Sequence, residues 1–318
     1  MSDAATAQKI NEKVEARALS PKLAWPTILF MVGVWATHFA LIWFAVTGGG
    51  AYWPYTIALG FLSYMHYTYI HEAIHGNILP KGRLNRFIQD CFGWVGSIAM
   101  IANWPMLSRT HKAHHSHTNT EHDPDIFLKL PFSLLLVRVF FTCVFLMFPM
   151  ALLKLIIRDR SMARGYINAD TIMTKKEKIG HYTGNFLMLG VFWTAVFMGY
   201  AREAFLLWYI PGVLGFATLA ILISWLPHYP FDRSDRYGVA RNMGRSWLNP
   251  LFMWQNWHLI HHMWPSVPFY NYERLQKRLE PVLAEKQARD KDGVLPRHGK
   301  VQRKVPATKG PVSVQPAE

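Results

Sequence analysis

The sequence predicts an all-α integral membrane fold, with four transmembrane helices in two hairpins and a cytoplasmic helical cap that carries clustered histidines. Three observations predict it. The chain is 51% hydrophobic and 17% charged, against roughly 25% charged in soluble domains. Four uncharged runs occur in two close pairs. Lys and Arg are almost missing from the links within those pairs and abundant outside them.

The runs follow in order. Residues 1–22 are polar and basic (Lys9, Lys13, Arg17, Lys22), which predicts a surface segment and not a cleaved signal peptide. Leu23–Thr47 is uncharged and long enough for one span, since about 20 apolar residues cross a bilayer core. Gly48-Gly49-Gly50 breaks it, and Ala51–Ile70 forms the second run. Phe87–Met106 and Pro131–Ile157 are apolar but interrupted by Asp90, Asn103, Pro105, Arg138 and Lys154, so both are expected as interfacial helices. Phe186–Ala201 and Phe205–Leu226 are the third and fourth runs, joined by Arg202-Glu203-Ala204. Residues 272–291 have an amphipathic pattern, and the Lys-, Arg-, Pro- and Gly-rich tail from Asp292 has the composition of disorder. The expected organisation is a polar segment 1–22, a membrane domain 23–275 and an amphipathic then disordered segment 276–318.

Charge sets the expected topology. Residues 71–182 hold 14 Lys and Arg, whereas the links 48–50 and 202–204 hold one between them. The basic segments therefore belong on the cytoplasmic side, and two hairpins place them together by parity alone. The formal charge of +14 is explained by this asymmetry and anionic lipid, without a nucleic-acid partner. Cys91 and Cys143 allow neither a disulfide framework nor a CxxC metal site.

Three histidine boxes carry the chemistry. They are His71-Glu72-Ala73-Ile74-His75, His111-Lys112-Ala113-His114-His115 and His258-Leu259-Ile260-His261-His262. On a helix, residues i and i+4 share a face, and i+3 lies within roughly 100° of arc of them at 3.6 residues per turn. Each box is therefore expected to aim its imidazoles at one point. The eight box histidines exceed the four ligands of a structural zinc and suit two ions with about four to five each. Imidazole binds Zn, Cu, Fe and Ni, so ligand type leaves the metal open. His71-Glu72 is not the HExxH of a zincin, because the second histidine comes one residue late.

Glu72, Asp123 and Asp125, with Asn119, are candidates for orienting the imidazoles, since a metal-bound histidine commonly gives its other N–H to a carboxylate or carbonyl. Asp123-Pro124-Asp125 also reads as a capping turn. His117 and His122 are expected at the surface, His38 and His66 packed within the spans, and His181 and His298 as bystanders. Trp94, Trp104 and Trp225 are candidates for shaping a substrate path.

The boxes, in this order and between hairpins, resemble the membrane fatty acid desaturase and hydroxylase superfamily, over roughly residues 25–275. His117-Thr118-Asn119 through Asp123-Pro124-Asp125 and Trp264-Pro265-Ser266-Val267-Pro268-Phe269-Tyr270 look like the continuations of its second and third boxes. The resemblance implies two non-haem irons, O2 as co-substrate, two external electrons and an oxidised lipid. It also implies a ninth ligand before box three, a place that His228 fits. A fatty acyl desaturase is the first expectation and a carotenoid β-ring hydroxylase the alternative. A non-catalytic metal-binding membrane protein is a remote third, because it would carry its histidines inside the spans. The sequence has no HPGG motif, cysteine cluster or Rossmann fingerprint. A separate electron donor is therefore expected, and an acidic one such as a ferredoxin suits the basic face.

Overall fold

The computed structural model describes residues 10–144, 146–147 and 169–288. Among them the chain is helical, with one isolated β-bridge between Asn242 and Trp257. A short helix, α1 (Glu12–Ala18), is capped by Asn11, whose side-chain oxygen accepts from the Lys13 and Val14 N–H groups. The antiparallel pair α2 (Trp25–Thr47) and α3 (Trp53–His75) follows, each opened by a proline in its first turn. Their link turns through Gly49 at φ +65°, where a residue with a Cβ is disfavoured.

Beyond Gly76 come α4 (Arg83–Ala99) and α5 (Trp104–His117), then a 3₁₀ turn at Pro124–Leu128 and α6 (Phe132–Val144). The second pair is α7 (Lys175–Phe197) and α8 (Ala201–Trp225). A reciprocal capping box of Thr174 and Glu177 starts α7, and α8 passes through π-helical turns at Ala204–Tyr209 and Ala220–Trp225. Three more α-helices follow among the described residues: α9 (Asn249–Phe252), α10 (His258–Met263) and α11 (Tyr272–Glu285).

Several sequence boundaries are corrected. The second link is Met198-Gly199-Tyr200, not 202–204, because Gly199 takes φ +92° and ends α7. Helix α7 begins eleven residues before Phe186, its first turns being the polar Lys-Lys-Glu-Lys stretch. The apolar piece 87–106 is two helices, because the chain reverses at Met100–Asn103 with Ile101 at φ 49°. Of the piece 131–157, the described helix covers Phe132–Val144, and the remainder to 157 lies almost wholly outside the described residues. Residues 1–9 and the tail from 289 lie outside them too.

Helix α3 is the hub, packing against α2, α4 and α8. It is buried almost continuously from Leu59 to Ile74. Small residues let α8 come close: a Cβ on Gly215 would lie 2.5 Å from the Ser63 Cβ and 2.8 Å from the Tyr64 backbone nitrogen. Helices α2 and α8 are long and apolar enough to cross a membrane. Helices α3 and α7 match α2 in length but carry more polar side chains. Leu29, Val32, Phe39, Trp43 and Phe44 on α2, with Phe186, Leu187, Val191 and Phe197 on α7, leave broad apolar faces uncovered, more than a soluble monomer exposes.

At the other end α11 buries Leu275, Leu279 and Leu283, spaced by four, in a cluster with Ala16 and Leu19 from the α1 region. Arg278 bonds Glu15 at 3.0 Å and Asn271 donates to the Leu19 carbonyl at 2.9 Å. Helices α1 and α11 thus pack with α10 in one cluster.

Replacing Gly215 by valine should destabilise the protein by about 1–3 kcal/mol through overpacking against rigid backbone. Thermal unfolding in detergent would show a lower midpoint. A wild-type midpoint would contradict the close α3–α8 approach.

Candidate metal centre

Box one is the last turn and a half of α3, box two lies on α5 and box three is α10. The structure gathers the donor nitrogens into two groups, each with all its atoms within 4.8 Å of one another. The first holds His71, His75, His111, His115 and His261; the second holds His114, His228, His258 and His262. All nine sequence candidates are present. The expectation that each box aims at one point is corrected for boxes two and three. Each sends its i, i+4 pair to one group and the remaining histidine to the other. Residues i+3 and i+4 point about 100° apart on a helix, so His114 and His115 diverge, as do His261 and His262.

The inward atoms are Nε2. In the first group Nε2–Nε2 separations are 3.0 Å for His71–His261, 2.9 Å for His75–His111 and 2.8 Å for His115–His261. In the second they are 3.2 Å for His114–His228, 3.1 Å for His228–His258 and 3.2 Å for His258–His262. Most Nδ1 atoms point outward to a partner. His228 Nδ1 meets the Val239 carbonyl at 2.8 Å and His114 Nδ1 meets Asp123 at 2.9 Å. His258 faces the Gln255 amide oxygen, His261 the Tyr272 hydroxyl and His111 the Tyr67 hydroxyl, at 3.1, 3.0 and 3.3 Å.

A carbonyl and a carboxylate only accept. His228, on the Val239 carbonyl, and His258, on the Gln255 amide oxygen, therefore carry their protons on Nδ1, which leaves two Nε2 lone pairs facing across 3.1 Å. Two acceptors cannot bond each other, and a cation between them resolves the repulsion. Burial holds His111, His115, His258, His261 and His262 well below the ordinary imidazole pKa, and His228 at about 3. These rings are thus neutral and their lone pairs free to bind. Donor chemistry, the neutral rings and their convergence fit one metal ion at each group.

The orienting groups divide. Asp123 touches His114 and also accepts from the Asn119 and Asp125 N–H groups at 2.8 and 2.9 Å. Burial pushes its carboxyl up, but the His114 ring and these donors outweigh burial and hold it low. Burial likewise lowers His114, yet Asp123 raises it overall. Asn119, at φ 63°, donates to the Arg233 and Val239 carbonyls, both at 2.7 Å. It therefore braces the carbonyl that orients His228. Glu72 lies 3.5 Å from His71 Nδ1 and accepts from Asn77 at 3.2 Å and the Phe269 N–H at 3.3 Å, tying box one to the segment after box three. Asp125 makes no hydrogen bond to a box histidine among the described residues. It lines a cavity instead, where burial and the Asp123 charge push its carboxyl up to about 6 against the pull of His114 and Ser224.

That cavity reaches His111 of the first group and His114 and His258 of the second. Its walls are largely apolar, including Met106, Leu107, Leu128, Phe216, Leu219 and Ile223. Trp94, Trp104 and Trp225 do not line it. Trp225 packs beside Phe132 and Tyr229 and donates to the Leu130 carbonyl. His117 and His122 stand near the surface with rings 5.8 Å apart. His38 and His66 pair in the helical core, and His181 bonds Asn185. Sequence reasoning missed Tyr67, Gln255 and Tyr272 as Nδ1 partners. Tyr67 at i−4 from His71 and Gln255 at i−3 from His258 had a helical-face signal; Tyr272 had none.

Fold and site together define a protein that is helical over its described residues, with two apolar helices long enough to cross a membrane and two histidine groups able to hold metal. The chain belongs to the fatty acid desaturase family, whose model matches residues 47–292. Among curated proteins it is similar to a beta-carotene ketolase from Paracoccus sp. (strain PC1), 27% identical over 227 residues that cover 69% of this chain and 76% of the relative. A beta-carotene ketolase from Paracoccus sp. (strain N81106 / MBIC 01143) is 24% identical over 252 residues, covering 76% and 86%. No solved structure matches the chain.

Asp125 also sets a pH dependence. Its carboxyl titrates near the ordinary 3.8 unfolded and about 6 folded, so the folded state binds more protons between those values. Stability of the metal-stripped protein should therefore fall as pH rises from about 4 to about 6. Asp125→Asn should lack that loss, gaining on wild type above pH 6 and matching it below pH 4 in denaturant titrations. Parallel curves for the two proteins would contradict the burial of a strained carboxyl.

Proposed function

We propose that this protein is an O2-dependent membrane oxidoreductase that oxidises an unactivated C–H bond of a lipid, with a carotenoid ring as its substrate. The observation that carries the reading is the convergence of nine histidines beside an apolar cavity. His71, His75, His111, His115 and His261 hold one iron in this reading, and His114, His228, His258 and His262 the other. Membership of the desaturase family supports iron over the other metals that imidazole binds. The chemistry supplied at the loaded centre is reductive activation of O2.

The chain's own residues do the rest. Asp123, Gln255 and the Val239 carbonyl keep a proton on the outward nitrogens of His114, His258 and His228 and so aim their Nε2 atoms inward, while Tyr272 positions the His261 ring. The leucines, Met106 and Phe216 hold an apolar substrate against the His111–His114–His258 wall and exclude water from it. Each hydroxylation consumes one O2, two electrons and two protons and yields the alcohol and one water. Two successive hydroxylations of one CH2 followed by loss of water give a ketone.

Both curated relatives bear the name beta-carotene ketolase, which favours a carotenoid ring over the acyl chain put first by sequence reasoning. The acyl desaturase is the second reading, supported by the family's description. Helices α2, α3, α7 and α8 form the four spans in this proposal, and the basic segments put the histidine boxes on the cytoplasmic side. Electrons come from a separate donor, and a net charge of +14 favours an acidic one such as a ferredoxin.

Expression in bacterial hosts that accumulate β-carotene or its ring-hydroxylated derivative, with mass spectrometry of the lipid extract, tests the reading. New keto- or hydroxycarotenoids in wild type, absent with His115→Ala, are the expected result. Unchanged carotenoids with new double bonds in the fatty acids would replace it by the second reading. No change in either lipid class would reject both.

A further inference from the structure

The cavity is not uniformly apolar. Tyr67, Thr110, Asp125, Thr142 and Ser224 all reach its surface, and their hydrogen bonds separate them. Thr110 donates its hydroxyl proton to the Met106 carbonyl at 2.8 Å, and Thr142 donates to the Arg138 carbonyl at 2.9 Å. The Tyr67 hydroxyl meets His111 Nδ1 at 3.3 Å. Asp123, two residues away, spends its oxygens on His114, Asn119 and Asp125. Asp125 differs. The Ser224 hydroxyl lines the same wall and pulls the carboxyl's pKa down, and a carboxylate has room for about four hydrogen bonds. The carboxyl therefore faces the space beside the metal centre with acceptor capacity to spare.

A hydrocarbon end filling this space would bury those lone pairs against CH groups, which is unfavourable. A ketone would set acceptor against acceptor. A hydroxyl donates to the carboxylate and can accept in turn from Ser224, whose proton rotates freely. We infer that Asp125 and Ser224 form a hydroxyl-recognition subsite, and that the lipid oxidised here carries a hydroxyl group on its reacting end. The inference rests on the lipid-oxidation reading and narrows its substrate class. It also accounts for a carboxyl kept in a largely apolar wall. A site that bonds a substrate hydroxyl discriminates strongly against the analogue without one, because its own polar groups are then left unpaired.

The test is binding to the purified, iron-loaded protein without O2, followed by tryptophan fluorescence quenching. The probes are β-carotene and its ring-hydroxylated counterpart. Wild type should bind the hydroxylated ring at least tenfold more tightly. That ratio should fall to threefold or less in Asp125→Leu and in Ser224→Ala, the milder change that keeps the test sound where Asp125→Leu does not fold. Asp125→Asn, whose amide oxygen still accepts, should retain part of the preference. Equal binding of both probes by wild type, or ratios unchanged in all the variants, would overturn the inference. Turnover with the same probes separates it from the broader reading. If neither is oxidised but binding depends on the hydroxyl, the proposed function fails and the subsite stands. If both are oxidised and bind equally, the subsite alone fails.

Discussion

Neutral imidazoles whose Nε2 lone pairs face each other repel, and this protein packs two such rings, His228 and His258, with their Nε2 atoms 3.1 Å apart. The arrangement is not an accident of rotamers that rotation of a proton could relieve. The Val239 carbonyl and the Gln255 amide oxygen hold the protons of His228 and His258 on the outward nitrogens. Burial opposes the alternative of protonating the rings. In the proposed reading, positive charge at the two foci relieves the repulsion, and the fold around the boxes keeps those foci in place.

Three features do so. Helix α3 is buried on nearly every face above His71, so box one stands on the most constrained helix. Asn119, in a left-handed conformation, ties the loop after box two to the Val239 carbonyl that orients His228. Glu72 and Asn77 tie the end of α3 to the segment following α10: Asn77 bonds the Pro265 carbonyl at 2.8 Å and Glu72 bonds the Phe269 N–H. Each tie joins segments more than a hundred residues apart in sequence. The second group thus depends on α5, the turn after α8, and α10 meeting at one place.

The helical class, the Gly48–Gly50 link, the three boxes and His228 were legible before any coordinates, because they depend on composition and on i, i+4 spacing. The division of boxes two and three between two groups was not. Spacing gives the angle between His114 and His115, but only packing shows that each has its own partners. The second link was misplaced because Gly199 lies in an apolar stretch, where charge drew attention to Arg202 instead. Asp125 reads like Asp123 in sequence, and only the orientation of the 3₁₀ turn sends one carboxyl to a histidine and the other to the cavity. Tyr272 approaches His261 through tertiary packing of α11, which leaves no local pattern.

The proposed function depends on two irons held by two sets of histidines. Iron per chain in anaerobically loaded protein, measured for wild type and for His228→Ala, tests this most directly. The account predicts two irons in wild type and one in the variant, since His228 sits only in the second group and three ligands remain there. One zinc in active wild-type protein, or two irons bound at wild-type affinity by His228→Ala, would contradict it.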